Sequence, residues 1–375
     1  MSEPLSRIPN GLRYYFGSEA RLRRAVEDTV MAVFDGWSYE EITTPSVDYY
    51  ALFERGMGHE AARRSFRFTD TDGRLLALRP DVTSSVARAA STLFAKRQRP
   101  LRLCYAAPVF RQQPTSHAEW RRESTQFGCE HIGSAAGGHA DMEVLAIVAE
   151  VMQRLGLRRA HRITLSSVEV FNGVAERLEL DGASRERMRQ LIDAKDATEL
   201  ERFLEPYTTS GEDRRAFARL ARLSGKREIL HEARRVIKNE RSMAAFEALD
   251  AMWDVIESLD LSDSFEIDLG DVSSLDYYTG LVFKIYVFGA GARVGRGGRY
   301  DNLTSNFGKP EPAIGFVLDL DALTDVLGRA SSASTLAGHK REPLVVETRS
   351  GEGNRAFLEA AEARARGERV KLESR

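Results

Sequence analysis

The sequence predicts an α+β fold, with a mainly antiparallel sheet, flanking helices and an inserted helical subdomain. Most strand-like segments follow one another without a regular alternation with helices, which is typical of this class. Strand signals vanish between about residues 171 and 259, where Glu, Arg, Ala and Leu dominate and several amphipathic helices fit. No Gly-x-Gly-x-x-Gly sequence follows a strand and opens a helix, and no Walker loop is present, so a doubly wound nucleotide-binding sheet is not indicated.

The composition is that of a globular protein with a substantial core. Of the 375 residues, 42% are hydrophobic, and 54 Lys and Arg face 56 Asp and Glu, which gives a formal net charge of -2. This balance provides no general attraction to nucleic acid or to a membrane surface. No apolar run approaches the roughly 20 residues that span a bilayer, and the N-terminus lacks the apolar core of a signal peptide. We therefore expect a soluble cytoplasmic protein that does not associate with membranes.

Local patterns place the elements of the N-terminal half. Apolar residues recur at helical spacing over residues 18–35, with Ser18 as the cap and Gly36 as the end. Pro45 inside the segment 39–47 favours an edge strand, and Asp72-Gly73 favours a hairpin turn within residues 67–78. The remaining predictions are a helix capped by Asp81, antiparallel strands at 101–110 and 124–132, and a helix at 141–155.

The C-terminal half resumes the sheet around the helical insertion at 171–259. Strands are predicted at 163–170, 265–269, 277–288, 292–296 and 313–318. Residues 328–343 have the composition of a linker. Residues 344–375 offer a strand, a helix and a second strand, which is too little for an independent domain, because chains below about 40 residues rarely fold alone. We thus expect one main domain over residues 1–327, with the insertion inside it.

The strand predicted at 124–132 carries the most informative polar pattern. Because side chains alternate along a strand, Gln126, Gly128 and Glu130 face one side, and the glycine leaves room for a ligand to lie against the sheet. A solvated outer face explains the same pattern equally well. Cys129 and His131 share the other face, where a buried thiol beside a polar histidine is the favoured interpretation, so we expect neither a metal site nor a cofactor.

Two further segments add polar groups of the same kind. Asp81 and Thr83 open a helix, where a plain N-cap is the simpler interpretation, and Tyr278 leads into a predicted strand, where it fits a core residue with a satisfied hydroxyl. Together with Gln126 and Glu130, these side chains match a small zwitterion with a polar ring. An ammonium group needs carboxylates and neutral acceptors, and an imidazole needs partners for two ring nitrogens.

Over residues 7–327 the sequence resembles histidyl-tRNA synthetase, a class II aminoacyl-tRNA synthetase. Residues 36–45 resemble the first synthetase motif. Residues 102–130 resemble the second motif and include the sequence FRQQ, which begins at Phe110. Both histidine-specific motifs are similar too, as LDYYTGLVF from Leu275 and GGRYD from Gly297. The resemblance implies a class II synthetase-like sheet and a histidine pocket.

The resemblance assigns histidine contacts position by position. It implies that Asp81, Thr83 and Gln126 hold the amino group of histidine. It likewise implies that Glu130 and Tyr278 hold the imidazole.

Three more residues complete the implied site. Tyr277 and Tyr300 belong to the same pocket by this correspondence. Arg111 corresponds to the synthetase arginine that grips the α-phosphate or the carboxylate.

Several departures from the synthetase pattern affect the groups that handle ATP and tRNA. Ser273 replaces an arginine that stabilises charge during adenylate formation, a loss that costs several kcal/mol of transition-state stabilisation. Ala322 replaces the third-motif arginine that binds the terminal phosphates, and we expect Asp319 and Asp321 to add negative charge near that site. Gln113 stands where an acidic residue usually precedes a proline-containing turn. We expect no synthetase anticodon-binding domain, because few residues follow the third-motif region in this sequence.

A histidine pocket without the ATP and tRNA machinery is similar to the pattern of a paralogous family, the regulatory subunits of ATP phosphoribosyltransferase. The resemblance implies a non-catalytic homodimer that partners a short-form catalytic subunit in the first step of histidine biosynthesis, with L-histidine as feedback effector. Two alternatives stay open. Arg111 is compatible with a degenerate enzyme that adenylates an amino acid for a non-tRNA acceptor. Basic clusters at 96–102 and 154–162 are compatible with tRNA binding, although the net charge favours a solvated face or a subunit interface.

Overall fold

A nine-stranded mixed sheet carries the candidate site in this computed structural model. The structure describes residues 6–113, 120–134, 138–208, 211–272, 277–329, 343–348 and 353–374. In chain order the strands are β1 (Glu40–Glu41), β2 (Val47–Tyr49), β3 (Arg67–Thr69), β4 (Leu75–Leu78), β5 (Leu101–Phe110), β6 (Glu123–Ile132), β7 (His161–Ser167), β8 (Ser224–Gly225), β9 (Phe265–Asp268), β10 (Leu281–Val287), β11 (Gly295–Arg299), β12 (Ala313–Asp319), β13 (Leu344–Thr348) and β14 (Val370–Ser374).

The helices flank this sheet or lie in the insertion. They are α1 (Gly17–Gly36), α2 (Tyr50–Met57), α3 (His59–Ala62), α4 (Thr83–Ser91), α5 (His139–Arg154), α6 (Val168–Arg177), α7 (Gly182–Asp193), α8 (Ala197–Phe203), α9 (Gly211–Leu220), α10 (Glu228–Val236), α11 (Glu240–Ser258), α12 (Leu320–Leu327) and α13 (Gly353–Ala365). Within the described ranges, no helix combines the length and the apolar character that a bilayer crossing requires.

The strand order of the large sheet is β1-β5-β6-β12-β11-β10-β7-β9-β8. Strand β1 pairs with β5 in parallel, as β7 does with β9, and the other neighbours pair antiparallel. The predicted α+β class is therefore confirmed. The centre of the sheet brings together strands from distant parts of the chain, because β12 inserts between β6 and β11.

The two faces of the sheet are covered differently. On one face, α1 buries Val26, Val30 and Phe34 in the main core, and Phe34 meets the ring of Phe316 edge-on at 5.8 Å between centroids. The other face carries α4 and a smaller core that includes Tyr105 and Tyr300. Helix α1 begins at Gly17, so Ser18 lies inside the first turn and does not cap it, contrary to the prediction.

The segment predicted as a single strand at 39–47 forms two short strands in different sheets. Strand β1 is the edge of the large sheet, whereas β2 pairs with β4 in a separate sheet of order β2-β4-β3. Pro45 lies between them, and its missing N–H explains why one continuous strand does not form. The predicted hairpin is confirmed by β3 and β4, with Gly73 at φ +83° in the turn.

Helices α6 to α11 follow β7, as the loss of strand signals predicts. The sequence analysis missed β8, which pairs with β9 at the end of the large sheet. Its two residues, Ser224 and Gly225, have no β-branched or alternating character, so no local pattern announces a strand. The domain division at 1–327 stays a prediction.

The C-terminal residues form the predicted strand, helix and strand. Strands β13 and β14 pair in parallel, and the structure buries Val346 of β13 and the α13 residues Ala356, Ala360 and Ala363. The predicted linker at 328–343 lies mostly outside the described residues.

Candidate ligand-binding site

Glu130 is the buried centre of the candidate site. Its side chain lies on β6 and is 1% exposed. Carboxylate atom Oε1 accepts hydrogen bonds from Thr83 Oγ1 at 2.8 Å and from the Tyr105 hydroxyl at 3.1 Å, and Oε2 accepts one from the Tyr300 hydroxyl at 2.5 Å. Burial raises the pKa of Glu130 to about 7, although these three hydroxyls oppose the rise.

Two glycines make room for this carboxylate. Gly315 on β12 is the register partner of Glu130, and a methyl group at Gly315 would overlap Oε2 and lie 2.5 Å from the backbone oxygen of Cys129. Gly128 on β6 pairs with Tyr105 on β5, and a methyl group there would overlap the Tyr105 ring. The expectation that Gly128 leaves space for a ligand is therefore wrong, because the Tyr105 side chain fills that space.

A partly open pocket lies beside Glu130, and we call it the inner cavity. Its empty volume, which includes space open to solvent, is about 260 Å³. Its lining holds two carboxyl groups, those of Asp81 and Glu130, and the guanidinium of Arg296. The residues that line it are Asp81, Thr83, Glu130, Tyr277, Tyr278, Arg296, Tyr300, Gly315, Phe316 and Val317.

Asp81 lines this cavity and also accepts hydrogen bonds at the start of α4. Its Oδ1 accepts hydrogen bonds from the Ser84 backbone N–H at 3.0 Å and from the Ser84 hydroxyl at 3.2 Å. The predicted capping role at the start of α4 is confirmed, although Val82 occupies the formal N-cap position. Capping and cavity lining are thus compatible in one carboxylate.

Three tyrosines form an aromatic wall on the cavity. The Tyr277 ring meets Tyr278 at 4.8 Å and Tyr300 at 5.9 Å between centroids, both edge-on. Burial raises the pKa of Tyr278 to about 12, so its phenol stays protonated at neutral pH. Tyr277 and Tyr278 also line a larger cleft toward α6 and α11, where Arg241 pairs with Glu169. Tyr278 therefore lies between the inner cavity and the helical insertion.

The GGRYD segment holds this wall in place. Arg299 forms an ion pair with Asp141 of α5 and another with Asp301 at 3.0 Å. Asp301 in turn accepts a hydrogen bond from the Ala313 N–H at 2.9 Å. These bonds fix the backbone on either side of Tyr300, which donates to Glu130. The motif thus acts mainly by positioning one tyrosine.

A second pocket adjoins the inner cavity, and we call it the outer pocket. Its empty volume is about 620 Å³. Arg111 donates a hydrogen bond to the Pro80 carbonyl at 3.3 Å, and Arg121 pairs with Asp325 at 2.7 Å. The lining residues are Arg111, Arg121, Ser124, Gln126, Ala292, Arg293, Val294, Gly295, Arg296, Val317, Asp319 and Ala322. Arg296 and Val317 belong to both cavities.

The two aspartates near α12 have different roles. Asp319 lines the outer pocket with Ala322, and burial followed by the nearby charge of Asp321 raises the pKa of Asp319 to about 6. Asp321 is buried away from the pocket, where it pairs with Arg23 at 2.6 Å and accepts a hydrogen bond from Tyr15. Asp321 therefore does not line the outer pocket itself, and its negative charge acts there through its effect on Asp319.

The opposite face of β6 is buried, as the favoured interpretation of Cys129 and His131 predicts. Cys129 and His131 are 0% and 2% exposed. His131 Nε2 lies 3.9 Å from Glu143 Oε1, and Glu143 also pairs with Arg102 at 2.8 Å. Burial lowers the pKa of His131, which favours its neutral form.

Comparison with known proteins identifies the family. The family model described as histidyl-tRNA synthetase matches residues 11–323. An ATP phosphoribosyltransferase regulatory subunit from Moorella thermoacetica is 37% identical over 334 residues, which cover 88% of this chain and 85% of that protein. The chain belongs to the histidyl-tRNA synthetase-like family of ATP phosphoribosyltransferase regulatory subunits.

Other members of the regulatory-subunit family and solved structures agree. A regulatory subunit from Caldanaerobacter subterraneus subsp. tengcongensis is 32% identical over 365 residues, covering 97% of this chain and 93% of that protein. The crystal structure of an ATP phosphoribosyltransferase regulatory subunit/histidyl-tRNA synthetase from Bacillus halodurans C superposes with a TM-score of 0.86 at 27% identity, covering 100% of this chain and 94% of the other. A histidine–tRNA ligase subunit from Alicyclobacillus acidocaldarius gives a TM-score of 0.74 at 28% identity, with 88% and 99% coverage. The class II synthetase-like fold is therefore shown.

In this regulatory-subunit fold, the eight candidate residues divide between the two cavities. Six of them, Asp81, Thr83, Glu130, Tyr277, Tyr278 and Tyr300, line the inner cavity. Arg111 and Gln126 line the outer pocket instead. Gln113 is described and exposed. Ser273 lies outside the described residues.

Sequence reasoning missed two residues of this regulatory-subunit site, Tyr105 and Arg296. Tyr105 lies on the same face of β5 as Leu103 and Ala107. In the sequence it therefore fits the apolar positions of the strand, and nothing in the pattern indicates that its hydroxyl belongs to a polar site. Arg296 lies in the glycine-rich stretch of β11. Because the neighbouring glycines have no side chains, the sequence there shows no alternation from which the face of Arg296 could be predicted. Only the strand register identifies Tyr105 as the partner of Gly128, and only the packing places Arg296 between two cavities.

Proposed function

We propose that this protein is the non-catalytic regulatory subunit of a short-form ATP phosphoribosyltransferase, and that it binds L-histidine as feedback effector in the first step of histidine biosynthesis. Family membership supports the regulatory role. The observation that carries the ligand assignment is the inner cavity, where a buried carboxylate with a raised pKa faces three tyrosines and a second carboxylate.

The chemistry of the inner cavity suits histidine. Asp81 and Thr83 offer oxygen acceptors for an ammonium group. Glu130 offers a carboxylate, and Tyr278 a phenol, for the two nitrogens of an imidazole. A pKa of about 7 for Glu130 lies close to that of a free imidazole, about 6.5. Such a matched pair shares one proton at neutral pH at low cost.

Co-purification tests the proposal as a whole. The catalytic subunit of a short-form ATP phosphoribosyltransferase is mixed with this protein, the complex is isolated, and its activity is measured with and without L-histidine. We expect a stable complex whose activity falls when histidine is added. Failure to form a complex, or activity that histidine leaves unchanged, contradicts the proposed function.

We expect no amino-acid adenylation by the isolated protein. The outer pocket carries Ala322 and Asp319 at its α12 end, so that end supplies a carboxylate in place of a cation for the terminal phosphates of ATP. Losing such preorganised charge removes several kcal/mol of transition-state stabilisation. The measurement is histidine-dependent exchange of pyrophosphate into ATP. Exchange well above background favours instead a degenerate synthetase-like enzyme.

We also propose a homodimer, with the exposed face of the β2-β4-β3 sheet and the adjoining residues 36–45 against a second copy. Val47, Tyr49 and Phe68 share that face by strand register and are 39%, 42% and 42% exposed. Exposed apolar clusters of this kind mark interaction surfaces, and a two-fold axis uses the same patch twice.

The dimer prediction is checked by sedimentation at micromolar concentration. We expect a dimer for the natural protein. The variant Phe68→Glu is expected to shift the population toward monomer, because it places a charge in the apolar contact. A natural protein that sediments only as a monomer contradicts this proposal.

A further inference from the structure

We propose that Arg296 binds the α-carboxylate of the amino acid in the inner cavity, and thereby makes the site selective for amino acids over analogues in which an uncharged group replaces that carboxylate. This inference rests on the proposed binding of histidine. It adds Arg296 to the proposed binding site and specifies the chemical class of ligand that the site selects. The ligand class is an α-amino acid with a free carboxylate and a ring that can pair with Glu130.

Arg296 is placed where the two cavities meet. It lies on β11, with Lys284 of β10 and Val317 of β12 as its register partners. It lines both the inner cavity and the outer pocket, and it is half-buried.

The charge of Arg296 reaches the aromatic wall of the inner cavity. Burial raises the pKa of Tyr278, and the positive charge of Arg296 opposes that rise. The same opposition acts on Tyr277. The guanidinium is therefore electrostatically coupled to the wall that faces the ligand.

An amino acid in this cavity needs such a cation. Asp81 and Glu130 both favour positive ligand groups, so an α-carboxylate placed beside them without a partner would be repelled. Among the described residues that line the inner cavity, Arg296 is the cationic side chain. A planar guanidinium also matches a carboxylate with two parallel hydrogen bonds. Arg111 is the competing candidate, but it lines the outer pocket and not the inner cavity.

This geometry gives the ligand an orientation. The ring enters the inner cavity toward Glu130, and the α-carbon lies at the junction. The carboxylate then points toward the outer pocket, past Arg296. A ligand that keeps the ring and the amino group but lacks the carboxylate loses only the Arg296 contact.

Paired ligands separate this role from a structural one. L-histidine and L-histidinol, in which a hydroxymethyl group replaces the carboxylate, are titrated calorimetrically into the natural protein, Arg296→Ala, Arg296→Gln, Arg111→Ala and Arg293→Ala. We expect the natural protein to prefer histidine over histidinol by about ten- to a hundredfold, as a charged hydrogen bond allows. Both Arg296 variants are expected to lose that preference while they bind histidinol with nearly natural affinity.

Arg293→Ala is the matched control, since Arg293 lines only the outer pocket, and we expect it to keep the preference. Loss of the preference in Arg111→Ala, with its retention in both Arg296 variants, assigns the carboxylate to Arg111 and overturns this inference. Loss of histidinol binding together with histidine binding in both Arg296 variants overturns it as well. A natural protein that binds neither ligand contradicts the proposed function itself, which keeps the two failures distinguishable.

Discussion

Replacing Glu130 with alanine is expected to weaken histidine binding by about ten- to a hundredfold. The change removes the carboxylate proposed to pair with the imidazole in a site where Glu130 is 1% exposed. A charged hydrogen bond contributes about 1.5–3 kcal/mol, which corresponds to that loss of affinity. It also leaves the hydroxyls of Thr83, Tyr105 and Tyr300 without their common acceptor. Calorimetric titration of L-histidine measures the effect.

Two further variants separate charge from shape. Glu130→Gln keeps the size of the side chain and removes its charge, so it should lose most of the affinity that Glu130→Ala loses. Tyr278→Phe should cost less, about 0.5–1.5 kcal/mol, because a neutral hydroxyl makes a weaker hydrogen bond. Natural affinity in Glu130→Ala would place the effector site elsewhere on this protein or on the catalytic partner.

The same change should desensitise the assembled enzyme. Allosteric inhibition depends on the difference in effector affinity between two states, so a weaker site raises the histidine concentration that inhibits. Assembly itself should persist, because Glu130 is buried and does not reach the surface. Inhibition curves for complexes with the natural subunit and with Glu130→Ala provide the comparison.

Glu130 is also expected to make the folded protein less stable as the pH rises. Its pKa is about 7 in the folded protein, against an ordinary value of 4.5. Between these values the folded state holds more protons than the unfolded state, so the free energy of unfolding falls with increasing pH. This contribution is nearly absent below pH 4.5 and fully present above pH 7.

Glu130→Gln removes that titration and should gain stability relative to the natural protein. We expect the difference in unfolding free energy to widen by about 2–3 kcal/mol between pH 5 and pH 8, since one pKa unit corresponds to about 1.4 kcal/mol. Urea unfolding at both pH values measures the two proteins. The pH-dependent contributions of other titrating groups are common to both proteins and cancel in the difference. A difference that does not change with pH would show that the Glu130 pKa is not raised.

These two predictions describe one compromise. A buried carboxylate that costs stability at neutral pH is retained at the point where the proposed ligand needs a charged partner. Glu130→Gln should therefore be more stable at pH 8 and poorer at binding histidine, which is a common relation between stability and function at binding sites.

Much of the fold could be predicted from local pattern. The strands predicted at 101–110 and 124–132 are confirmed over nearly their full length as β5 and β6, and so are the hairpin of β3 and β4 and the apolar stripe of α1. These predictions succeed because side-chain period and turn residues are properties of short segments. Strand β8 could not be predicted, because its two residues show no alternation of apolar and polar side chains. Its pairing with β9 depends on the surrounding fold.

By itself, the sequence determined the fold class, the candidate residues of the site and, through the histidine-specific motifs, the resemblance to the family. The tertiary structure decided which atoms meet. Strand register filled the space at Gly128 with Tyr105 and set Gly315 against the carboxylate of Glu130. Packing buried Asp321 against Arg23, 298 positions away in the chain, and placed Arg296 between the two cavities. Such contacts join segments far apart in sequence, so the periodicity of side chains within a single helix or strand cannot predict them.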